Sequence, residues 1–264
     1  MAETGRLTRA PIALPGISPV WLLRLAIVAT ILATWEAVAA SGLLFRDVVP
    51  SLVVISRAVV DLLGESGFYW HLGVTAGEVG TGLAVGGAAG LAVGIILGGS
   101  RFLSRAFEPY LYYLGPTPKI IFFPVMIMWF GVGPGSKVAM GTISCFFPIA
   151  LSVAAGMRQI DDVLIRVGKS FRASTWQMVT KIYLPAMRAP VVNGVRLGLG
   201  VAIIGTLLAE TKLSNRGVGF LIINSYSTFN MPRMYSLLIV VFVLAIGVNA
   251  LVSRLGQLEA IKGR

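Results

Sequence analysis

Lys119, Arg196 and Glu210 stand in or beside long apolar runs, so their chemistry has to be explained first. An ionisable group inside a membrane span is costly and by default marks a solute pathway or a buried pair. Arg196 falls about six residues, or about 9 Å of helix axis, into the apolar run that starts near Pro190. Two readings stay open for it: a pathway residue, or a side chain that reaches back to the surface or to carbonyls at a neighbouring helix end. Lys119, at the start of another run, has the same two readings, and together the two cations favour an anionic solute. Glu210, at the other end of the Arg196 run, is read as a gate or solute contact, or else as a solvated carboxylate paired with Lys212.

Other chemistries find no support. With one histidine (His71) and one cysteine (Cys145), neither a multi-histidine nor a cysteine-cluster metal site is available, and no intramolecular disulfide. His71 reads as a polar interfacial residue and Cys145 as a small buried hydrophobe. No GxxxxGK[ST], HExxH or GxSxG element occurs. Glycine pairs such as Gly86-Gly87 lie within an apolar run and cannot cradle phosphate in water. The chain is expected to be a conduit without metal or cofactor of its own, and any ATP-driven step would use another polypeptide.

The elements that must position these residues are membrane helices. Of 264 residues 56% are hydrophobic and only 12% charged, about half the charged share of a soluble domain. The net charge of +11 sits mainly in loops beside apolar runs, so topology explains it and nucleic acid does not. Residues 1–20 form a polar tail with Arg6 and Arg9, followed by a single membrane domain over 21–264. Six spans are expected, at about 21–42, 76–98, around a core at 120–130, 137–155, 190–209 and 235–255. The first imitates a cleavable signal through Ala37-Val38-Ala39, but its length and its Arg24 and Glu36 favour a retained anchor. The last, Tyr235–Leu255, is about 32 Å long as a helix, enough for a core of about 30 Å. A helix starting at Val49-Pro50-Ser51 is expected to lie at the membrane face. In the second span Gly82, Gly86, Gly90, Gly94 and Gly98 recur every fourth residue, forming a bare ridge about 24 Å long for close helix packing. Asn193 and Asn249 are expected to hydrogen-bond between helices.

Between the fourth and fifth spans lies a polar, basic stretch, Arg158–Pro185. Asp161 and Ser174 read as caps of two short helices meeting near Arg172–Thr175, and Pro185 as the stop of the second. With the N-terminus inside, the inner segments hold fourteen of the 22 Lys and Arg residues and the outer ones six. That asymmetry puts both termini and this stretch in the cytoplasm.

The stretch resembles the coupling loop of bacterial ABC importer permeases, with a Glu-Ala-Ala, three residues, Gly, nine residues, Ile, one residue, Leu-Pro pattern. Ala173-Ser174-Thr175-Trp176-Gln177, Ile182, Leu184 and Pro185 fit it, while Arg166-Val167-Gly168 replaces Glu-Ala-Ala and Arg172 replaces the glycine. Pro116-Thr117-Pro118-Lys119, Pro124, Trp129–Gly133, Ser136-Lys137, Phe146-Phe147-Pro148, Asn193–Leu197, Ala209-Glu210 and Gly217-Val218-Gly219 look like the sulfonate/taurine/nitrate-type branch. The resemblance covers about residues 50–255. It implies an all-α, six-span permease of the type I importer kind in a bacterial inner membrane, paired with a second copy. ABC ATPase subunits, which carry the ATP and Mg, would dock on Arg166, Gly168, Phe171, Arg172, Ala173, Ser174, Thr175, Trp176, Leu184 and Pro185. A solute-binding protein would deliver a small solute at the outer face. A stand-alone secondary transporter or channel is the alternative; it predicts charges at mid-membrane and inverted halves, and neither stands out.

Overall fold

The computed structural model describes residues 19–42 and 48–262. The expected tail with Arg6 and Arg9, and also Arg46 and Arg264, lie outside the described residues. Among the described residues all regular structure is helical. The chain divides into two units, residues 1–56 and 57–264.

In the first unit, α1 (Pro19–Ser41) is a long apolar helix. Its last turns reach the chain that follows: Trp35 Nε1 donates to the Pro50 carbonyl at 3.0 Å. The Glu36 carboxylate accepts from the Leu52 amide at 2.9 Å, satisfying an orphan donor at the start of α2 (Leu52–Gly64). Glu36, an acid inside an apolar span, therefore has a local capping task.

The second unit is built around α6 (Pro134–Met157), which packs between α3 (Ser66–Gly99) and α10 (Arg188–Lys212). The α3 helix begins ten residues before the expected span, because residues 66–75 continue the same helix beyond the apolar core. Its glycines set the packing. A methyl group at Gly82, Gly86, Gly90, Gly94 or Gly98 would come 3.1, 2.5, 2.9, 2.7 and 2.7 Å from the carbonyl oxygens of Val138, Thr142, Phe146, Ala150 and Ala154. Two four-residue ladders thus run side by side, and backbone meets backbone. Both ladders rise together, so α3 and α6 are parallel. On the other side, Gly194 meets Ser152 and Gly198 meets Ile149, so α10 runs antiparallel to α6; Ser152 Oγ donates to the Pro190 carbonyl at 2.8 Å.

Parallel α3 and α6 require the chain between them to cross back. That return is made by α4 (Arg101–Leu114), a 3₁₀ turn (Lys119–Phe122) and α5 (Phe123–Phe130), bent by 91°. The third span is therefore a broken one. Pro116 and Pro118 at the elbow account for the break, since proline removes a donor and restricts the residue before it. Among the described residues five helices are long and apolar enough to cross a membrane, or six with the bent pair taken as one span.

The remaining elements in order are α7 (Asp162–Ser170), the short turns α8 (Thr175–Gln177) and α9 (Leu184–Ala186) flanking a π-helical Met178–Tyr183, α11 (Val218–Ser227) and α12 (Met231–Lys262). At the start of α12, Arg233 makes a two-pronged ion pair with Glu65, at 3.0 and 2.6 Å. Further along, Gly256 lies against Val192 of α10. So α12 ends at the same end of this unit as residues 158–185, called the hairpin end below; the other is the far end. Asn249 Oδ1 is buried without a hydrogen-bond partner, contrary to the interhelical bond expected, and Asn193 is exposed.

Candidate functional site

The polar stretch folds into a capped hairpin at the end of α6. Asp161 accepts from the Val163 amide at 2.8 Å and starts α7. Ser174 and Gln177 form a reciprocal capping box, Ser174 Oγ accepting from Gln177 N at 3.3 Å and Gln177 Oε1 from Ser174 N at 2.8 Å. Between the helices, Ala173 N donates to Gly168 O at 3.0 Å and Arg172 N to Lys169 O at 2.9 Å. That pair of bonds is a Schellman ending, whose penultimate residue is left-handed and usually glycine. Arg172 fills it with φ +50°, at a cost of about 1 kcal/mol relative to glycine.

Gly168 is where the two arms touch. A Cβ there would come within 2.6 Å of Met178 Sδ and would also strike Ile182. Pro185 does not stop the second arm. It occupies the first turn of α9, where a missing amide costs little, and the helical path runs on to Ala186. The break falls instead at buried Met187, whose φ of −108° and ψ of 26° leave the helix.

The outward face of the hairpin is apolar at helical spacing. Leu164, Val167 and Phe171 form a stripe along α7, with Phe171 83% and Trp176 75% exposed. Arg166, Lys169 and Arg172 are exposed beside them. A protruding apolar patch rimmed by cations is a surface that can be covered by a partner.

Residues 90–258, from the middle of α3 into α12, match the family model described as the binding-protein-dependent transport system inner membrane component. The chain belongs to this family. It is similar to a putative aliphatic sulfonates transport permease protein of Bacillus subtilis, 28% identical over 83% of this chain and 80% of that protein. It is also similar to the taurine transport system permease protein of Escherichia coli, 28% identical over 86% of each. The nitrate import permease protein of Synechococcus elongatus is 24% identical over 86% of this chain and 85% of that one. A chain of the inward-facing MetNI methionine ABC transporter shares the fold with a TM-score of 0.59, over 78% of this chain and 96% of that chain, at 19% identity. The protein is thus a multi-pass inner-membrane permease subunit of an ABC importer.

The permease separates the three ionisable residues singled out in its sequence. Lys119 stands at the elbow between α4 and α5, its ammonium held by the carbonyls of Gly115 and Thr117 and lying 5.1 Å from the centre of the Phe147 ring. It lines a cavity of about 570 Å³ with Ser144, Phe147 and Pro148 of α6 and Val201, Ile204 and Leu208 of α10. Arg196 is exposed on α10 outside that cavity. Glu210 is 0% exposed. It is neither solvated nor directed to Lys212: Oε1 accepts from Thr75 Oγ1 at 2.7 Å and Oε2 from the Gly219 amide at 2.6 Å.

Two further side chains surround Glu210, of which Glu78 belongs to no motif and Lys137 enters only through the Ser136-Lys137 pair of the resemblance. Glu78 of α3 and Lys137 of α6, 4% and 1% exposed, face it from the neighbouring helices. Lys137 donates to the carbonyls of Val132 and Leu213, the latter at 2.7 Å. A signal was present for Glu78: it stands four residues before Gly82, in register with the glycine ladder and so on the packed face. Lys137, expected at the outer start of the fourth span, lies inside α6, which Pro134 opens three residues earlier.

Proposed function

We propose that this permease moves a small anionic solute, handed over at the far end by a solute-binding protein, and that an ABC ATPase docked on the hairpin drives it. The carrying observation is the hairpin itself. Two arms locked by the Asp161 cap, the Ser174–Gln177 box and the Gly168 contact present Phe171 and Trp176 as fixed apolar knobs. Fixed knobs on a rigid stalk can carry force, because little of a partner's movement is lost in loop flexing. ATP and Mg belong to the partner, and this chain supplies the path. Closure of the partner would move α6 and α10 together, since Met187 and Pro190 pack on Gly156, giving alternating access by rigid-body motion.

A second copy of the chain completes the path. The cavity beside Lys119 opens on one face, where Val201, Ile204 and Leu208 repeat along α10 with exposed side chains; self-pairing across a two-fold axis would close it. Lys119 gives the wall a fixed positive charge, and the sulfonate and nitrate named for the relatives are anions. Hairpin and both termini face the cytoplasm in this reading, as the distribution of Lys and Arg supports. Co-expression with an ATPase subunit bearing a nucleotide-binding loop tests it: wild-type permease should co-purify with that subunit, and Trp176→Ala should lose it while still inserting. Retention of the subunit by the Trp176→Ala protein counts against docking at the hairpin.

A further inference from the structure

At the far end, α3, α6, α10 and the start of α11 meet around two carboxyl groups and one ammonium. Glu78 follows Thr75, the residue that holds Glu210, by one turn of α3 and is equally enclosed, so the two carboxyl groups face one another. Both oxygens of Glu210 already have donors, Thr75 Oγ1 and Gly219 N. Glu78 Oε2 is enclosed and meets no donor. The charged groups facing Glu78 are Glu210 from α10, Lys137 from α6 and Arg216 from the loop before α11. His71, two turns earlier on α3, accepts from the Gly217 amide at 3.1 Å and feels Arg233 of α12.

Two enclosed carboxylates side by side repel and offer each other only acceptors, and one oxygen of Glu78 has no donor at all. One proton resolves both difficulties. Placed on Glu78, it turns an enclosed acceptor without a donor into a donor and removes one of the two facing negative charges. The remaining charges, Glu210 negative and Lys137 positive, then balance in a site from which water is excluded, where an unpaired charge is costly.

We propose that Glu78 and Glu210 form a proton-binding site, and that the bound proton latches α11 to the body of the permease. The first amides of α11 supply the mechanical link. Gly217 N donates to His71 Nδ1, Val218 N to Thr75 Oγ1 at 2.8 Å, and Gly219 N to Glu210 Oε2. Every receiver on this list belongs to the cluster or lies beside it on α3. Space is also tight: a Cβ at Gly219 would come 2.6 Å from Glu210 Cβ. Loss of the proton leaves two adjacent buried carboxylates and loosens the seat of α11, so the latch weakens as pH rises.

Infrared difference spectroscopy on the purified permease–ATPase complex, between neutral and strongly alkaline buffer, reads the proton directly. The expected result is a protonated-carboxyl band in the wild type that disappears at alkaline pH, is missing in Glu78→Gln, and is shifted but present in Glu78→Asp. Thermal unfolding gives the second readout: the wild-type midpoint should fall from neutral to alkaline pH, and in Glu78→Gln that fall should be abolished. An unchanged band in Glu78→Gln, or an equal fall in both proteins, overturns the proposal. So does a wild-type midpoint that shifts when choline replaces sodium at fixed pH while Glu78→Gln does not respond, since a metal cation would then occupy the site. Should Glu78→Gln fail to assemble, the Glu78→Asp band decides alone, and a band identical to wild type overturns the assignment.

Discussion

The two ends of the second unit handle polar groups in opposite ways. Within the hairpin the polar atoms are local and exposed: Asp161, Ser174 and Gln177 cap their own helices, and Arg172 holds a left-handed turn in the open, while at its base Arg158 pairs with Glu108 of α4 on a half-exposed surface. At the far end they are long-range and enclosed: Glu210 bonds to Thr75, 135 positions away in sequence, and Lys137 to Leu213, 76 positions away. Local caps let a hairpin keep its shape while it moves as a body. Long-range buried bonds do the reverse and tie four helices together at one point. One end is suited to being pushed, and the other to staying shut until its bonds are broken.

The glycine ladder connects these ends, and disrupting it is expected to have the largest effect. Gly86→Leu would drive a side chain into Thr142 and Cys145, and overpacking of this kind costs about 3 kcal/mol or more. The variant should give little folded permease, measured as monodisperse protein recovered in mild detergent, and hairpin and far end should fail together. Glu210→Ala should act on the far end alone. It strips Thr75 and Gly219 of their acceptor and leaves Lys137 short of a counter-charge, a loss of about 3 kcal/mol, read as a lower thermal midpoint with ATPase co-purification intact. Arg172→Gly is the mildest and has the opposite sign. Removing the strained Cβ should stabilise the hairpin by about 1 kcal/mol, read as slower hydrogen exchange of the Ala173 amide with no change at α11.

Legibility in the sequence follows the same division. The hairpin could be read because its determinants are near neighbours: a capping residue, a glycine position and a fixed spacing to Leu184-Pro185. Its exit could not, because a proline is ambiguous between ending a helix and opening the next turn, and a π-helical turn leaves no composition signal. The α3 ladder was legible as a period of four, but its partner ladder on α6 is made of backbone carbonyls, which any sequence supplies. The Glu78–Glu210–Lys137 cluster was the least visible. Its members lie on three helices, and only the parallel run of α3 and α6 brings Glu78 level with Lys137. Glu210 read singly looked like a surface acid beside Lys212. The third span was expected as one run around a core at 120–130; Pro116 and Pro118 stand before that core, but the 91° elbow depends on how α5 packs against α6.

The central claim is that residues 158–185 form a cytoplasmic handle for a separate motor. Ala173, at the turn between the two arms, is the position to probe, since the native Cys145 is buried. An Ala173→Cys permease should react with a membrane-impermeant maleimide only after cells are opened, and co-expressed ATPase subunit should then protect it. Labelling of Ala173→Cys in intact cells, to the same extent as in opened ones, would contradict the account.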